Sequence, residues 1–192
     1  MRLPLRFAAV LLALALPLAP AGAQDAMTIE AVPTYSAGMG AMSGPFTLLS
    51  LRDGAIVVAP DDAVRTDSSS AAWDIGLRGT EVILNGGASG PGAVIGALVE
   101  APFESVTALP DALSADGNGD CPRGAARVVC HGSGNGWYVY AENGVMPLPG
   151  RTLVIRRADG SALKVRFADY VVGETVDGNR QRFVTLDVAP LD

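Results

Sequence analysis

Hairpin turns constrain the fold of this chain more than any other feature of its sequence. Three Asp-Gly pairs each stand between two short runs in which apolar residues alternate with small or polar ones. Asp-Gly suits the tight turn that joins antiparallel strands, because both central residues of that turn need positive φ angles. The predicted hairpins pair Phe46–Leu51 with Ala55–Val58, Leu153–Arg157 with Leu163–Phe167, and Val171–Val172 with Phe183–Val188 across Asp177-Gly178-Asn179.

The segment from Trp73 to Gly92 extends this pattern. It predicts a strand, a turn, a second strand and a glycine-rich bend, and Ala93–Val99 follows as another apolar strand. No helical period is sustained after the first 23 residues. We therefore predict an all-β fold of several antiparallel sheets joined by tight hairpins. A sandwich and a barrel both fit this pattern.

The N-terminus has the pattern of a secretory signal peptide. Arg2 and Arg6 precede the apolar stretch Phe7–Leu18, which is too short to cross a membrane, and Ala21-Gly22-Ala23 has the form of a cleavage site. We predict a signal peptide at 1–23, a flexible lead-in at 24–45 and a single β-rich domain at 46–192. No cysteine follows the cleavage site, so we expect no lipid anchor and a soluble periplasmic or secreted protein.

The net charge limits the classes of partner that we expect, and the cysteine content predicts a disulfide. Without residues 1–23, 12 basic and 20 acidic residues remain, for a net charge of −8. Nucleic acids and anionic membranes both attract basic surfaces, so neither is an expected partner. The chain has two cysteines, Cys121 and Cys130. An even number of cysteines in an exported protein favours a disulfide between them over a pair of metal-ligand thiolates.

The order of residue types between about 45 and 172 resembles the HmuY-like proteins, a bacterial family of extracytoplasmic haem binders. The residues that carry the resemblance are Trp73-Asp74-Ile75, Arg78, Asn85-Gly86-Gly87, Ser89-Gly90, Trp137-Tyr138-Val139-Tyr140, Met146-Pro147, Leu153–Arg156, Asp159-Gly160, Lys164 and Tyr170. The resemblance implies an all-β fold, haem as ligand, and delivery of haem to an outer-membrane receptor. It also implies two axial side chains on the iron, either two histidines or pairs that include methionine.

Three residues are candidate haem ligands. His131 is the only histidine, so one chain has no second histidine to offer the iron. Met146 is the predicted second ligand, because a thioether suits haem iron. Tyr140, which shares a strand face with Tyr138, can bind iron as a phenolate or line the pocket. A solvated loop histidine, a methionine filling a gap in the core, and tyrosines buried for packing are the structural alternatives.

The alternative function is a calcium-stabilised β-sandwich that acts as an adhesion or interaction module without haem. Asp116, Asn118 and Asp120 alternate with glycines, as in the loops that open calcium sites. Arg127 stands where an EF-hand would carry its last glutamate, so an Asx-turn loop is the competing interpretation. No set of nucleophile, base and acid emerges along the chain, and we expect a binding protein rather than an enzyme.

Overall fold

The computed structural model describes residues 25–34, 44–62, 69–174 and 180–191, and these residues fold into β-structure. A short 3-10 turn at Phe103–Ser105 accompanies eleven strands. The strands are β1 Met27–Thr34, β2 Thr47–Leu49, β3 Ile56–Val58, β4 Ile75–Arg78, β5 Glu81–Leu84, β6 Ile95–Val99, β7 Tyr138–Ala141, β8 Gly144–Pro147, β9 Thr152–Arg156, β10 Ala162–Glu174 and β11 Arg180–Leu191. No helix in the described segments has the length and apolar character that crossing a membrane requires.

The strands form three antiparallel sheets. The largest has the order β1-β11-β10-β9-β6, the second has the order β3-β2-β4-β5, and β7 pairs with β8 alone. Apolar side chains from the first two sheets meet in one buried cluster, with Leu49 and Ile75 from the smaller sheet and Leu153 and Val165 from the larger. The core therefore lies between two sheets, and the prediction of an all-β fold with several antiparallel sheets is confirmed.

The predicted hairpins take shape around their Asp-Gly turns. Asp53-Gly54 joins β2 to β3, and Asp159-Gly160 joins β9 to β10. The strands β10 and β11 pair along twelve positions, although Asp177-Gly178-Asn179 between them lies outside the described residues. Trp73–Gly92 contains β4, a tight turn and β5, as predicted. Strand β10 is much longer than expected, because a bulge between Phe167 and Asp169 lets it continue through Val171–Val172.

The prediction of a flexible lead-in at 24–45 is wrong for Met27–Thr34. These residues form β1, an edge strand paired with β11. A bulge between Ile29 and Val32, with Ala31 at a φ of 50°, breaks the alternation, so the buried side chains fall three residues apart. The period of two that would have marked a strand is therefore absent. The predicted signal peptide lies outside the described residues.

The glycine-rich bend after β5 packs around Asn85. The buried Asn85 amide donates to the carbonyl oxygens of Ser70 and Trp73 and accepts from the Gly92 amide at 2.9 Å. A Cβ on Gly90 would lie 2.2 Å from Asn85 Oδ1. The bend therefore requires glycine for close packing, and it involves no helix N-terminus of the kind that holds phosphate.

Candidate functional site

The β7–β8 hairpin carries two of the three candidate ligands, Tyr140 and Met146, and packs against β10. Pairing of Tyr140 with Val145, and of Val139 with Met146, assigns each side chain to a face of this two-stranded ribbon. Paired residues share a face and neighbours along a strand alternate. Tyr140 and Val145 therefore belong to the face of Tyr138, which is directed at the core, whereas Met146 projects from the opposite face.

An aromatic cluster fills the space between the ribbon and β10. The Trp137 ring stacks on Phe167 with 4.4 Å between centroids, and it contacts Tyr138 at 5.1 Å and Tyr170 at 5.9 Å. The Trp137 indole donates to the backbone carbonyl of Thr80. Tyr138 is fully buried, and its ring meets the Tyr140 ring edge-on at 5.4 Å. The cluster therefore forms the packed inner side of the site.

His131 lies at the margin of this cluster. Its Nε2 atom is 3.5 Å from Oη of Tyr138, and the imidazole itself is half-buried. The Cys121–Cys130 disulfide, which the sequence predicted, ends directly before His131. His131 thus enters the site from a covalently closed loop.

The chain after His131 is held by polar contacts with its surroundings. The Ser133 hydroxyl accepts from the Tyr140 amide at 2.9 Å, and the Gly134 amide donates to the Tyr138 carbonyl. The Arg151 guanidinium donates to the Gly136 carbonyl at 3.1 Å and pairs with Glu100. These contacts fix the loop against β7 before any ligand arrives.

Two phenols of the aromatic cluster have raised pKa values. Burial raises the pKa of Tyr138, although the hydrogen bond from the Thr80 hydroxyl at 3.1 Å opposes the shift. Burial also raises the pKa of Tyr170 to about 12, although the positive charge of Arg182 opposes the shift. The Tyr140 side chain, by contrast with Tyr138, is 63% exposed.

The structure brings two of the three predicted haem ligands together. His131 and Tyr140 both contact Tyr138, one through the hydroxyl and the other through the ring edge. Met146 is 49% exposed but lies on the other face of the ribbon. The predicted pair of His131 and Met146 would therefore have to meet around the edge of the hairpin.

Exposed apolar side chains surround this region. Of the five large apolar side chains that are exposed among the described residues, four lie on β7, β8 and β10: Tyr140, Met146, Val171 and Val172. Val171 and Val172 were not among the site residues predicted from the sequence. Their adjacency in a strand was the available indication, since neighbouring strand residues face opposite sides and cannot both be buried in one core.

The calcium interpretation of Asp116, Asn118 and Asp120 is not supported. The Asp116 carboxylate is buried and accepts hydrogen bonds from the amides of Leu84 and Val128. Asn118 and Asp120 are exposed, and the described residues contain no cluster of three or more acidic, histidine or cysteine side chains arranged to hold a metal ion. Asp116 directs its oxygens at the protein interior, where the protein's own amides and the Ser89 hydroxyl occupy them.

A groove of about 380 Å³ lies elsewhere, on the outer face of the large sheet. Phe103 forms one wall, and Lys164 and Arg166 lie against its ring. Lys164 donates to two backbone carbonyls, and Arg166 pairs with Asp187 and Glu104. The basic side chains that line this groove are thus paired with other groups of the protein. None of the predicted haem ligands lines the groove.

Comparisons with known proteins support the fold. No known family's sequence model and no curated protein sequence matches the chain. The crystal structure of a Bacteroides vulgatus ATCC 8482 protein, described as HmuY-like and haem-binding, aligns with a TM-score of 0.50 and 17% identity over 88% of this chain and 94% of that one. The apo HmuY analog of Tannerella forsythia aligns with a TM-score of 0.42 and 14% identity, over 88% and 95% of the two chains. The chain therefore has the HmuY-like fold of the Bacteroides vulgatus protein.

Proposed function

We propose that this protein binds haem at the exposed end of the β7–β8 hairpin, with His131 as an axial ligand. The observation that carries the proposal is the convergence of the His131 imidazole and the Tyr140 ring on Tyr138, on strands that also carry exposed apolar side chains. The HmuY-like fold supports it, because the Bacteroides vulgatus protein of that fold is described as haem-binding.

The chemistry of these side chains suits a ferric porphyrin. Imidazole nitrogen and phenolate oxygen both serve as axial ligands of haem iron in proteins. Tyr140 is the second candidate ligand, since it shares a face of the ribbon with Tyr138. Val172 lies two residues after Tyr170 and so on the same face of β10 as the aromatic cluster, and it would cover apolar porphyrin surface, which contributes roughly 25 cal/mol per Å² before the costs of association.

Met146 has a different place in this proposal. It projects from the face opposite Tyr140, so it would serve as an iron ligand only for a porphyrin that sits across the edge of the hairpin. We propose instead that Met146 adds apolar contact area. The chain has no second histidine, so a site with two histidines from one chain is excluded.

A haemin titration of purified protein lacking residues 1–23, followed by the Soret difference spectrum, tests the proposal. We expect saturable one-to-one binding that is weakened and spectrally altered in His131→Ala. Tyr140→Phe retains the ring and removes the hydroxyl, so a spectral change in that variant would identify a phenolate ligand.

Met146→Ala is the matched control for the ligand assignment, because it truncates an exposed side chain on the other face of the same hairpin. We expect it to retain the wild-type spectrum with a modest loss of affinity. A wild-type spectrum identical to haemin mixed with a non-binding protein would refute haem binding. A lost axial signature in Met146→Ala, with His131→Ala unchanged, would assign the iron to the opposite face.

We also propose that the protein acts outside the cytoplasm, in capturing haem for an outer-membrane receptor, as a binding protein and not as an enzyme. The leader pattern at 1–23 and the Cys121–Cys130 disulfide support export, since structural disulfides persist in oxidising compartments. Fractionation of cells that express the full chain tests this. We expect a processed protein that begins at Gln24 in the periplasm or the medium, and an uncleaved cytoplasmic product would contradict export.

A further inference from the structure

We infer that Tyr138 is a positioning residue that orients the His131 imidazole for ligand binding, an inference that rests on the proposed role of His131 in haem binding. The Tyr138 hydroxyl is the group that approaches Nε2 of His131, at 3.5 Å. Tyr138 itself is fully buried and cannot follow a moving imidazole. The Nε2 side of the imidazole is therefore directed at the protein.

The Tyr138 hydroxyl also has a contact on its buried side. Thr80 donates to Oη at 3.1 Å. On our inference the imidazole donates its Nε2–H to the same oxygen, because that tautomer leaves a lone pair on Nδ1 for a ligand.

This arrangement determines which nitrogen is available to a ligand. A neutral imidazole that carries its proton on Nε2 has its lone pair on Nδ1. Among the described residues, the hydrogen bond recorded for the ring is the one at Nε2. His131 would therefore bind iron through Nδ1 while Tyr138 holds the opposite side of the ring.

A partner of this kind has a known effect on metal ligands. The second ring nitrogen of a ligating histidine usually donates to a fixed acceptor, which sets the tautomer and orientation of the ring. Loss of such a partner commonly lowers metal affinity by about 10- to 100-fold. Tyr138→Phe removes the acceptor and leaves the aromatic packing with Trp137 in place.

The first experiment uses ligand-free protein and the fact that the chain has one histidine. Nitrogen-15 NMR of the imidazole then shows a single ring system. We expect a proton on Nε2 that exchanges slowly with water in the wild type, and rapid exchange in Tyr138→Phe. Tyr170→Phe is the matched control, because it removes another phenol hydroxyl from a partly buried ring that packs on Trp137, and it should leave the exchange rate unchanged.

The second experiment measures haemin affinity and the Soret spectrum of the same variants. We expect Tyr138→Phe to lose affinity by about 10- to 100-fold and to alter the spectrum, and Tyr170→Phe to retain both. Thr80→Val removes the hydroxyl that donates to Oη of Tyr138, and it should also make the exchange faster. This variant replaces Tyr138→Phe in the test if Tyr138→Phe does not fold. A proton on Nδ1, or an exchange rate that neither Tyr138→Phe nor Thr80→Val changes, would overturn the inference.

The two experiments separate the two claims. If the wild type does not bind haemin, the proposed function fails, and the exchange measurement still decides whether Tyr138 orients His131. If haemin binds and Tyr138→Phe leaves the exchange rate, the affinity and the spectrum unchanged, the positioning role fails and haem binding stands.

Discussion

Substitution of Asp116 is the sharpest test of how the interior supports the site. The carboxylate is 1% exposed and accepts hydrogen bonds at 2.9 Å from the amides of Leu84 and Val128, and at 2.7 Å from the Ser89 hydroxyl. The Arg127 guanidinium lies 3.5 Å away. Asp116 therefore ties β5 to the chain that leads into the disulfide and His131.

The cost of Asp116→Ala follows from these partners. A buried donor left without its acceptor costs about 1–3 kcal/mol, and hydrogen bonds to a charged group are at the upper end of the usual range. Two amides lose their acceptor, whereas the Ser89 hydroxyl can rotate. We expect a loss of about 4 kcal/mol in the free energy of unfolding, a large part of the roughly 5–15 kcal/mol that stabilises a typical domain.

Urea unfolding monitored by tryptophan fluorescence measures this loss, with Asp120→Ala as the matched control. Asp120 belongs to the same acidic motif but is exposed, so its removal should change the free energy of unfolding by less than about 0.5 kcal/mol. Equal effects of the two substitutions would refute the reasoning. A calcium-dependent rise in the melting temperature of the wild type that both variants abolish would restore the calcium interpretation.

Three further predictions concern other parts of the fold. Asn85→Asp places a carboxylate oxygen against two backbone carbonyls and should destabilise the protein by about 3–5 kcal/mol in thermal denaturation, unlike Asn118→Asp at an exposed position. Replacing Cys121 and Cys130 with serine should cost about 2–3 kcal/mol in urea unfolding and weaken haemin binding, and unaltered affinity would show that the disulfide does not position the site. The raised pKa of Tyr170 favours the folded state fully below pH 10, the usual pKa of tyrosine, and this contribution is lost as the pH rises through about 12. When tyrosinate formation is followed by absorbance as the pH rises, the step at the highest pH should be absent in Tyr170→Phe.

Local turn chemistry explains why much of the fold was predictable. Gly54 and Gly160 have the positive φ that these turns need, whereas Asp53 and Asp159 do not, so each Asp-Gly pair lies in a longer connection than a two-residue turn. Such turns join strands that are neighbours in sequence, so the hairpin β2–β3 and the hairpin β9–β10 follow from short segments alone. Strand β1 was missed for the opposite reason, since its partner β11 lies about 150 residues away along the chain and a bulge hides its alternation.

The placement of the candidate ligands was only partly predictable. The common face of Tyr138 and Tyr140 follows from strand alternation, and the structure has it. The position of Met146 on the other face depends on the two-residue turn that pairs Ala141 with Gly144. Once that hairpin is recognised, Met146 must pair with Val139. The contact between His131 and Tyr138 had no such indication, because His131 lies in a loop without a repeating pattern.

The acidic motif shows why burial decides between interpretations that a sequence leaves open. A carboxylate on a glycine turn can hold a calcium ion or accept the protein's own amides, and both need the same residue types. Here Asp116 faces inward and accepts from the amide of Val128, two residues before Cys130. The residue predicted to bind a metal thus anchors the loop whose end presents His131. An interior anchor and a disulfide on one short segment reduce the freedom of the imidazole before haem arrives, which lowers the entropy that binding must overcome.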